Sequence, residues 1–219
     1  MNKLLTFYTD SHEGMFNEFF LKSYNDHLSG DYELIVKKVD QLCPSGNFAS
    51  QGFDEVMLEK VKWIIENIDI NNESYLVFSD CDVQFFKNID IDLSDYDILF
   101  QNDYMHDAYC AGFFIMKQNN KTMDFFTLVR DTFLSMMNGR VDDQSIVNML
   151  LKKGVKDLKY GFLPSGQYWT VAYATNGRAW TGEDISCPDS LVAHHANWTI
   201  GVNNKMDLLQ LVKSKQIQS

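Results

Sequence analysis

Between Tyr75 and Val83 the chain reads Tyr-Leu-Val-Phe-Ser-Asp-Cys-Asp-Val, an apolar run that ends on two carboxylates one residue apart. A short continuous run of aromatic, aliphatic and β-branched residues predicts a strand buried on both faces, as in sheets covered by helices on each side. In open α/β sheets, ligands bind at the carboxyl ends of such strands. A strand that stops near Ser79 therefore puts Asp80 and Asp82 on that edge, close enough to share one hard cation with a phosphate. Aspartates also cap turns that follow strands, and the local pattern leaves both readings open.

The flanking sequence builds an α/β domain around this strand. Residues 4–9 predict a first strand, residues 15–28 a helix with Phe16, Phe19, Phe20 and Tyr24 at helical spacing, and residues 32–36 a second strand. A β-α-β opening favours a parallel sheet. Phe7 and Tyr8, at the end of the first strand, suit stacking on a base, and Phe7 suits core packing at least as well. Residues 53–68 predict a helix whose apolar stripe of Val56, Met57, Val61, Ile64 and Ile68 also includes Lys60. A lysine there either snorkels to water along the core or reaches an anion in a cleft. Strands are expected at 96–100 and 108–116. In the second of these, Ala111 and Gly112 leave the backbone bare enough for a ligand to come close. Helices are expected at 121–137 and 145–151, with Asp142, Asp143 and Gln144 at the start of the latter. There at least one aspartate serves as a cap. A late strand spans 158–163. Residues 164–188 lack periodicity but carry Tyr168, Trp169, Tyr173 and Trp180, which suit either stacking on a sugar ring or a second small core. Residues 191–198 form a last strand that ends near His194 and His195, and residues 206–213 a closing helix.

Composition narrows the function. A chain of 219 residues with 45% hydrophobic content, three prolines and no charge run suits one folded domain. We divide it into a nucleotide-binding part, about 1–105, and a sugar and acceptor part, about 106–219. The net charge of -11 argues against nucleic-acid binding. It still permits a nucleotide, because a divalent cation offsets carboxylates crowded around a diphosphate. Cys43, Cys81, Cys110 and Cys187 are too far apart for a zinc knuckle or a disulfide framework, which points to free thiols in a reducing compartment. No apolar segment approaches the ~20 residues needed to span a bilayer, and the first nine residues do not resemble a signal peptide. A cytoplasmic location is therefore expected. The plain polar tail also fits a domain cut from a larger multidomain protein.

Asp80, Asp82 and a late histidine together make an oxygen–oxygen–nitrogen site for a divalent ion such as Mn²⁺ or Mg²⁺. Gly201 and Lys205, just beyond the histidines, offer a backbone amide and an ammonium to phosphate oxygens. These features occur in a familiar order: Phe53-x6-Lys60, Phe78-Ser79-Asp80-Cys81-Asp82-Val83, Cys110-Ala111-Gly112-Phe113-Phe114, Asp143-Gln144-x3-Asn148 and His195-Ala196-Asn197-Trp198-x2-Gly201-x3-Lys205. In that order the chain resembles the nucleotide-diphospho-sugar transferases, glycosyltransferases of the GT-A fold with a mixed, mostly parallel sheet flanked by helices.

The resemblance implies a role for each motif. Asp80, Asp82 and His195 would hold the metal, with His194 next door as a rival ligand, and Cys81 would sit between the two aspartates. Lys60 and Lys205 would contact the diphosphate of a nucleotide-sugar, and Tyr8 and Thr9 the base. Ala111 and Gly112 would line the donor sugar, and Asp143 and Gln144 its hydroxyls near the anomeric carbon. Tyr168, Trp169 and Trp180 would face the acceptor, a glycan or another hydroxyl compound. The implied reaction is transfer from a UDP-sugar with retention of configuration. Two other readings compete: a haloacid-dehalogenase-like phosphatase with Asp80 as nucleophile, and a non-catalytic nucleotide-sugar-binding domain.

Overall fold

The computed structural model describes residues 1–44, 46, 50–104, 108–137 and 141–218. The predicted helix break at Gly139 and Arg140, and part of the predicted loop between Cys43 and Gly52, lie outside them. Strand β1 (Asn2–Tyr8) leads through a 3-10 turn (Asp10–His12) into α1 (Glu13–Met15), a π-helical turn (Phe16–Phe20) and α2 (Leu21–His27). Then follow β2 (Tyr32–Lys38), α3 (Phe53–Asn67), β3 (Tyr75–Ser79), β4 (Val83–Phe85), β5 (Ile98–Asn102) and β6 (Tyr109–Lys117). The chain closes with α4 (Asn120–Met136), α5 (Asp143–Lys153), β7 (Tyr160–Phe162), β8 (Tyr168–Thr170), α6 (Ala172–Thr175), β9 (Ala193–His195) and α7 (Val202–Gln218).

Six strands form the main sheet in the order β2-β1-β3-β6-β5-β7. The pairs β1–β2, β1–β3 and β5–β7 are parallel, and β6 runs antiparallel to both of its neighbours. The sheet is thus mixed and mostly parallel, as expected. Alternation along the central strands divides the core into two. Leu5, Leu76, Phe78, Phe100 and Phe114 pack on one face with α3, α4 and α5. Leu4, Val77, Phe113 and Ile115 pack on the other, against Phe16, Phe20, α7 and a second sheet.

That second sheet, β4-β9-β8, was not foreseen. Its strands are three residues long, too short for alternation to register in the sequence. Of the two readings of residues 164–188, the burial of their aromatics favours the second small core over stacking on a sugar ring. Tyr168 is fully buried, Trp169 is 4% exposed and Trp180 6%, so all three belong to the core. The last strand is also shorter than expected. It ends at His195, and the chain turns at Trp198, whose φ of 55° lies in the left-handed region.

Candidate active site

The carboxyl end of β3 leads directly into Asp80 and Asp82. The Asp80 backbone amide donates to the Gly112 carbonyl at 2.7 Å, tying this turn to β6. Strand β4 starts immediately afterwards and pairs antiparallel with β9, with Val83 opposite His195. The Ala196 amide donates to the Asp82 carbonyl at 2.9 Å, continuing that pairing. This short ladder brings an imidazole from late in the chain beside the two aspartates. Ligand atoms of Asp80, Asp82 and His195 all lie within 4.8 Å of one another.

His195 Nε2 is 3.1 Å from Asp82 Oδ1, and Lys205 Nζ is 2.5 Å from Asp82 Oδ2. Lys60 is 2% exposed and bridges two carboxylates, with Nζ 3.0 Å from Asp80 Oδ1 and 2.9 Å from Asp143 Oδ2. The cation on the apolar stripe of α3 is therefore neither snorkelling nor free: it lies over the Phe78 ring and is neutralised from two sides. Asp142 caps α5 by accepting from the Ser145 amide at 2.6 Å, which leaves the buried Asp143 to face Lys60. Of the two adjacent aspartates, one serves the helix and the other the site.

Electrostatics follow from these contacts. Burial by itself would raise the pKa of Asp82, but Lys205 and His195 outweigh it and hold the carboxyl well below the usual range. Burial pushes Asp80 up; Lys60 draws it down, and Asp82 adds to the rise. Burial disfavours a charge on His195, yet Asp82 and Cys110 raise its pKa well above the ordinary histidine value. Lys60 and Lys205 are likewise raised against burial, Lys60 by Asp143 and Asp80 and Lys205 by Asp82. His194 points away from this cluster. It is fully buried, its ring nitrogens have no hydrogen-bond partner among the described residues, and burial lowers its pKa to about 3. Of the two adjacent histidines, only His195 joins the aspartates.

The residues present fit a divalent cation. Asp80 Oδ1 and Asp82 Oδ1 are buried beside positive groups but accept no hydrogen bond of ordinary geometry. A Cβ on Gly112 would lie 2.4 Å from His195 Cε1 and 2.6 Å from Asp80 Oδ2, so only glycine lets the histidine and aspartate close over β6. That packing role is more immediate than the ligand approach expected for Gly112.

The remaining expected residues border this cluster. Gln144 donates to Asp103 Oδ2 at 2.7 Å and accepts from the Ala111 amide at 3.3 Å, which places Ala111 beside α5. Asn148 accepts from the Tyr109 amide and donates to the Tyr109 carbonyl, docking α5 onto β6. At the end of β1, Tyr8 stacks on Phe16 at 4.4 Å, and Thr9 Oγ1 lies 3.2 Å from both Ser11 Oγ and His12 Nδ1. Cys81 is buried between the aspartates, and burial pushes its thiol up. Gly201 has φ 88° and accepts from the Lys205 amide at 3.1 Å, opening α7.

Three participants escaped the sequence reading. Asp103 accepts from Asn197 Nδ2 at 2.6 Å, Trp198 Nε1 at 2.9 Å and Gln144 Nε2, so it joins α5 to the turn after β9. Gln101 touches His195 Nδ1 at 2.9 Å. His12 is half-buried within the electrostatic reach of Asp82 and Lys205. Gln101 lies near the carboxyl end of β5 and Asp103 just after it, and the carboxyl-edge rule that points to Asp80 and Asp82 would have found them there.

The profile of the nucleotide-diphospho-sugar transferase family matches residues 21–209. The chain belongs to that family. Among solved structures, this transferase is similar to a glycosyltransferase involved in the glycosylation of the major capsid of PBCV-1. The TM-score is 0.67 at 14% identity, covering 95% of this chain and 98% of the other. It is also similar to the galactosyltransferase LgtC in complex with donor and acceptor sugar analogues, with TM-score 0.55, 15% identity and 95% of each chain covered. The glycosyltransferase GlyE of Streptococcus pneumoniae TIGR4 gives TM-score 0.60 at 13% identity, over 95% of this chain and 61% of that one. No curated protein matches the sequence of this transferase. At these identities the structural likeness establishes the fold, and the family match establishes the class of transferase.

Proposed function

We propose that this protein transfers a sugar, with retention, from a UDP-sugar to a hydroxyl of a glycan acceptor, using Mn²⁺ or Mg²⁺ held by Asp80, Asp82 and His195. The observation that carries the reading is the convergence of those three groups at the carboxyl edge of the sheet, with Lys60 and Lys205 paired to the same carboxylates. A bound cation supplies positive charge opposite the departing diphosphate. Lys60 and Lys205, which neutralise these carboxylates in this structure, would offer their ammonium groups to phosphate oxygens beside such a cation, together with the Gly201 amide. Stabilising charge that grows on the leaving group in an enclosed site lowers the barrier directly.

Tyr8 and Thr9 receive the base, and Cys81 sits between the two aspartates of the donor site. Ala111 and Gly112 border the sugar. Asp143 and Gln144 hold its hydroxyls near the anomeric carbon, where Asp143 stabilises developing positive charge and Gln144, anchored by Asp103, fixes orientation. Alignment of acceptor hydroxyl and anomeric carbon contributes the rest. We read the chain as one catalytic domain acting in the cytoplasm, alone or within a larger protein. Among the described residues, no helix is long and apolar enough to cross a membrane.

Screening a panel of nucleotide-sugars for Mn²⁺-dependent hydrolysis tests the reading. One UDP-sugar is expected to be hydrolysed slowly, and UDP with Mn²⁺ is expected to raise the melting temperature more than either alone. Tight binding without hydrolysis or transfer by any donor would favour a non-catalytic sugar-nucleotide binder. A phosphoryl adduct on Asp80 would favour the phosphatase.

A further inference from the structure

Gln101 is 1% exposed, sits at the register shift where β5 and β6 lose their regular pairing, and is the residue whose side chain meets His195 from the side opposite Asp82. A bulge at such a point re-aims side chains that regular alternation would send elsewhere. Both ends of the Gln101 amide are engaged. Nε2 lies 3.2 Å from the Trp169 carbonyl, which can only accept, so this end must be the NH₂ group. The other end, Oε1, lies 2.9 Å from His195 Nδ1 and can only accept in turn. Cys110 Sγ, at 3.6 Å from the same nitrogen, is a longer and weaker contact.

We infer that Gln101 is a positioning residue that keeps a proton on His195 Nδ1 and so presents Nε2 to the cation site beside Asp80 and Asp82. The chain of hydrogen bonds runs from the Trp169 carbonyl on β8, through the Gln101 amide on β5, to the His195 ring on β9. It orients the imidazole from two strands that never touch the metal. An Nδ1 without a proton would set two acceptors 2.9 Å apart in a buried site, which is costly. With Nδ1 facing Gln101, Nε2 is the ring nitrogen left to face the aspartates. Groups that orient a metal-bound histidine in this way typically change metal affinity by about 10- to 100-fold when removed. The inference rests on the metal reading above, but its two halves are separable, because the Nδ1 proton exists with or without the cation.

The test compares the full-length protein with Gln101→Met, similar in length but without a strong acceptor, and Gln101→Glu, which restores one. Proton NMR follows the hydrogen-bonded His195 Nδ1–H in the metal-free protein, assigned by its loss in His195→Asn. Calorimetry with MnCl₂ alone gives the affinity. The expected result is a downfield Nδ1–H signal in the parent and Gln101→Glu that is lost in Gln101→Met. Mn²⁺ binding should fall about 10- to 100-fold in Gln101→Met and stay within about threefold in Gln101→Glu. A persisting signal and unchanged Mn²⁺ affinity in a folded Gln101→Met would overturn the inference. Should Asp82→Ala leave Mn²⁺ binding unmoved, the metal site itself is wrong, and the Nδ1–H signal still decides whether Gln101 holds the ring.

Discussion

Lys60 shows how much one side chain can carry. Its ammonium is buried between Asp80 and Asp143 and joins the carboxylate proposed to hold a metal to the one proposed to face the sugar. Removing one partner of a buried ion pair leaves uncompensated charge, which typically costs about 3–5 kcal/mol. Lys60→Met is expected to destabilise by about 3 kcal/mol in urea unfolding, and adding Asp143→Asn should recover part of that loss, because the two changes share one contact. Gly112→Ala should act differently. The new methyl collides with His195 and Asp80, so overpacking of about 1–3 kcal/mol is expected together with loss of Mn²⁺ binding, read by thermal shift with and without the metal. Asp82→Ala should abolish Mn²⁺-dependent UDP binding while far-UV circular dichroism stays unchanged. Unchanged nucleotide binding would count against the site as drawn.

At the scale of elements, β9 and the turn after it decide where the late motif goes. Three residues of strand pair with β4 and β8, and this ladder, rather than any helix, delivers His195 to the carboxyl edge of the main sheet. Helix α4 is anchored at its start by a reciprocal cap, with Asn119 accepting from the Thr122 amide and Thr122 Oγ1 accepting from the Asn119 amide. The same Asn119 donates to Asp97, whose carboxylate also accepts from the Lys159 amide and pairs with Lys121. Asn119→Ala removes a cap worth about 1 kcal/mol and one contact to a buried carboxylate. A loss of about 2 kcal/mol is expected in denaturant midpoint experiments, with nucleotide affinity unaffected because Asn119 follows Lys117, which pairs with Tyr75 at the end of β3 opposite Asp80.

For the whole molecule, His194 sets an acid limb. Its folded pKa of about 3 lies below the unfolded value of 6.5. Between those limits the unfolded chain binds the proton and the native state does not, so stability is full above pH 6.5 and falls as the pH drops toward 3. The slope attributable to this one group is at most about 1.4 kcal/mol per pH unit. His194→Leu should flatten stability across that window in urea titrations at several pH values. An unchanged acid limb would show that the ring titrates normally.

The order of motifs, the β-α-β opening, the carboxyl edge after β3 and the placing of Asp80 and Asp82 on that edge were legible in the chain, because hydrophobic period and strand-end chemistry are local properties. So was the oddity of a lysine on the apolar stripe of α3. Which carboxylates neutralise Lys60 and which of two adjacent histidines joins the cluster depended on contacts between residues far apart in the sequence, and which aspartate caps α5 depended on the backbone geometry at the helix start. The same holds for the burial of Tyr168, Trp169 and Trp180 and for the part played by Gln101. Strands of three residues carry no readable period, and only their pairing across the fold sorts one face from the other.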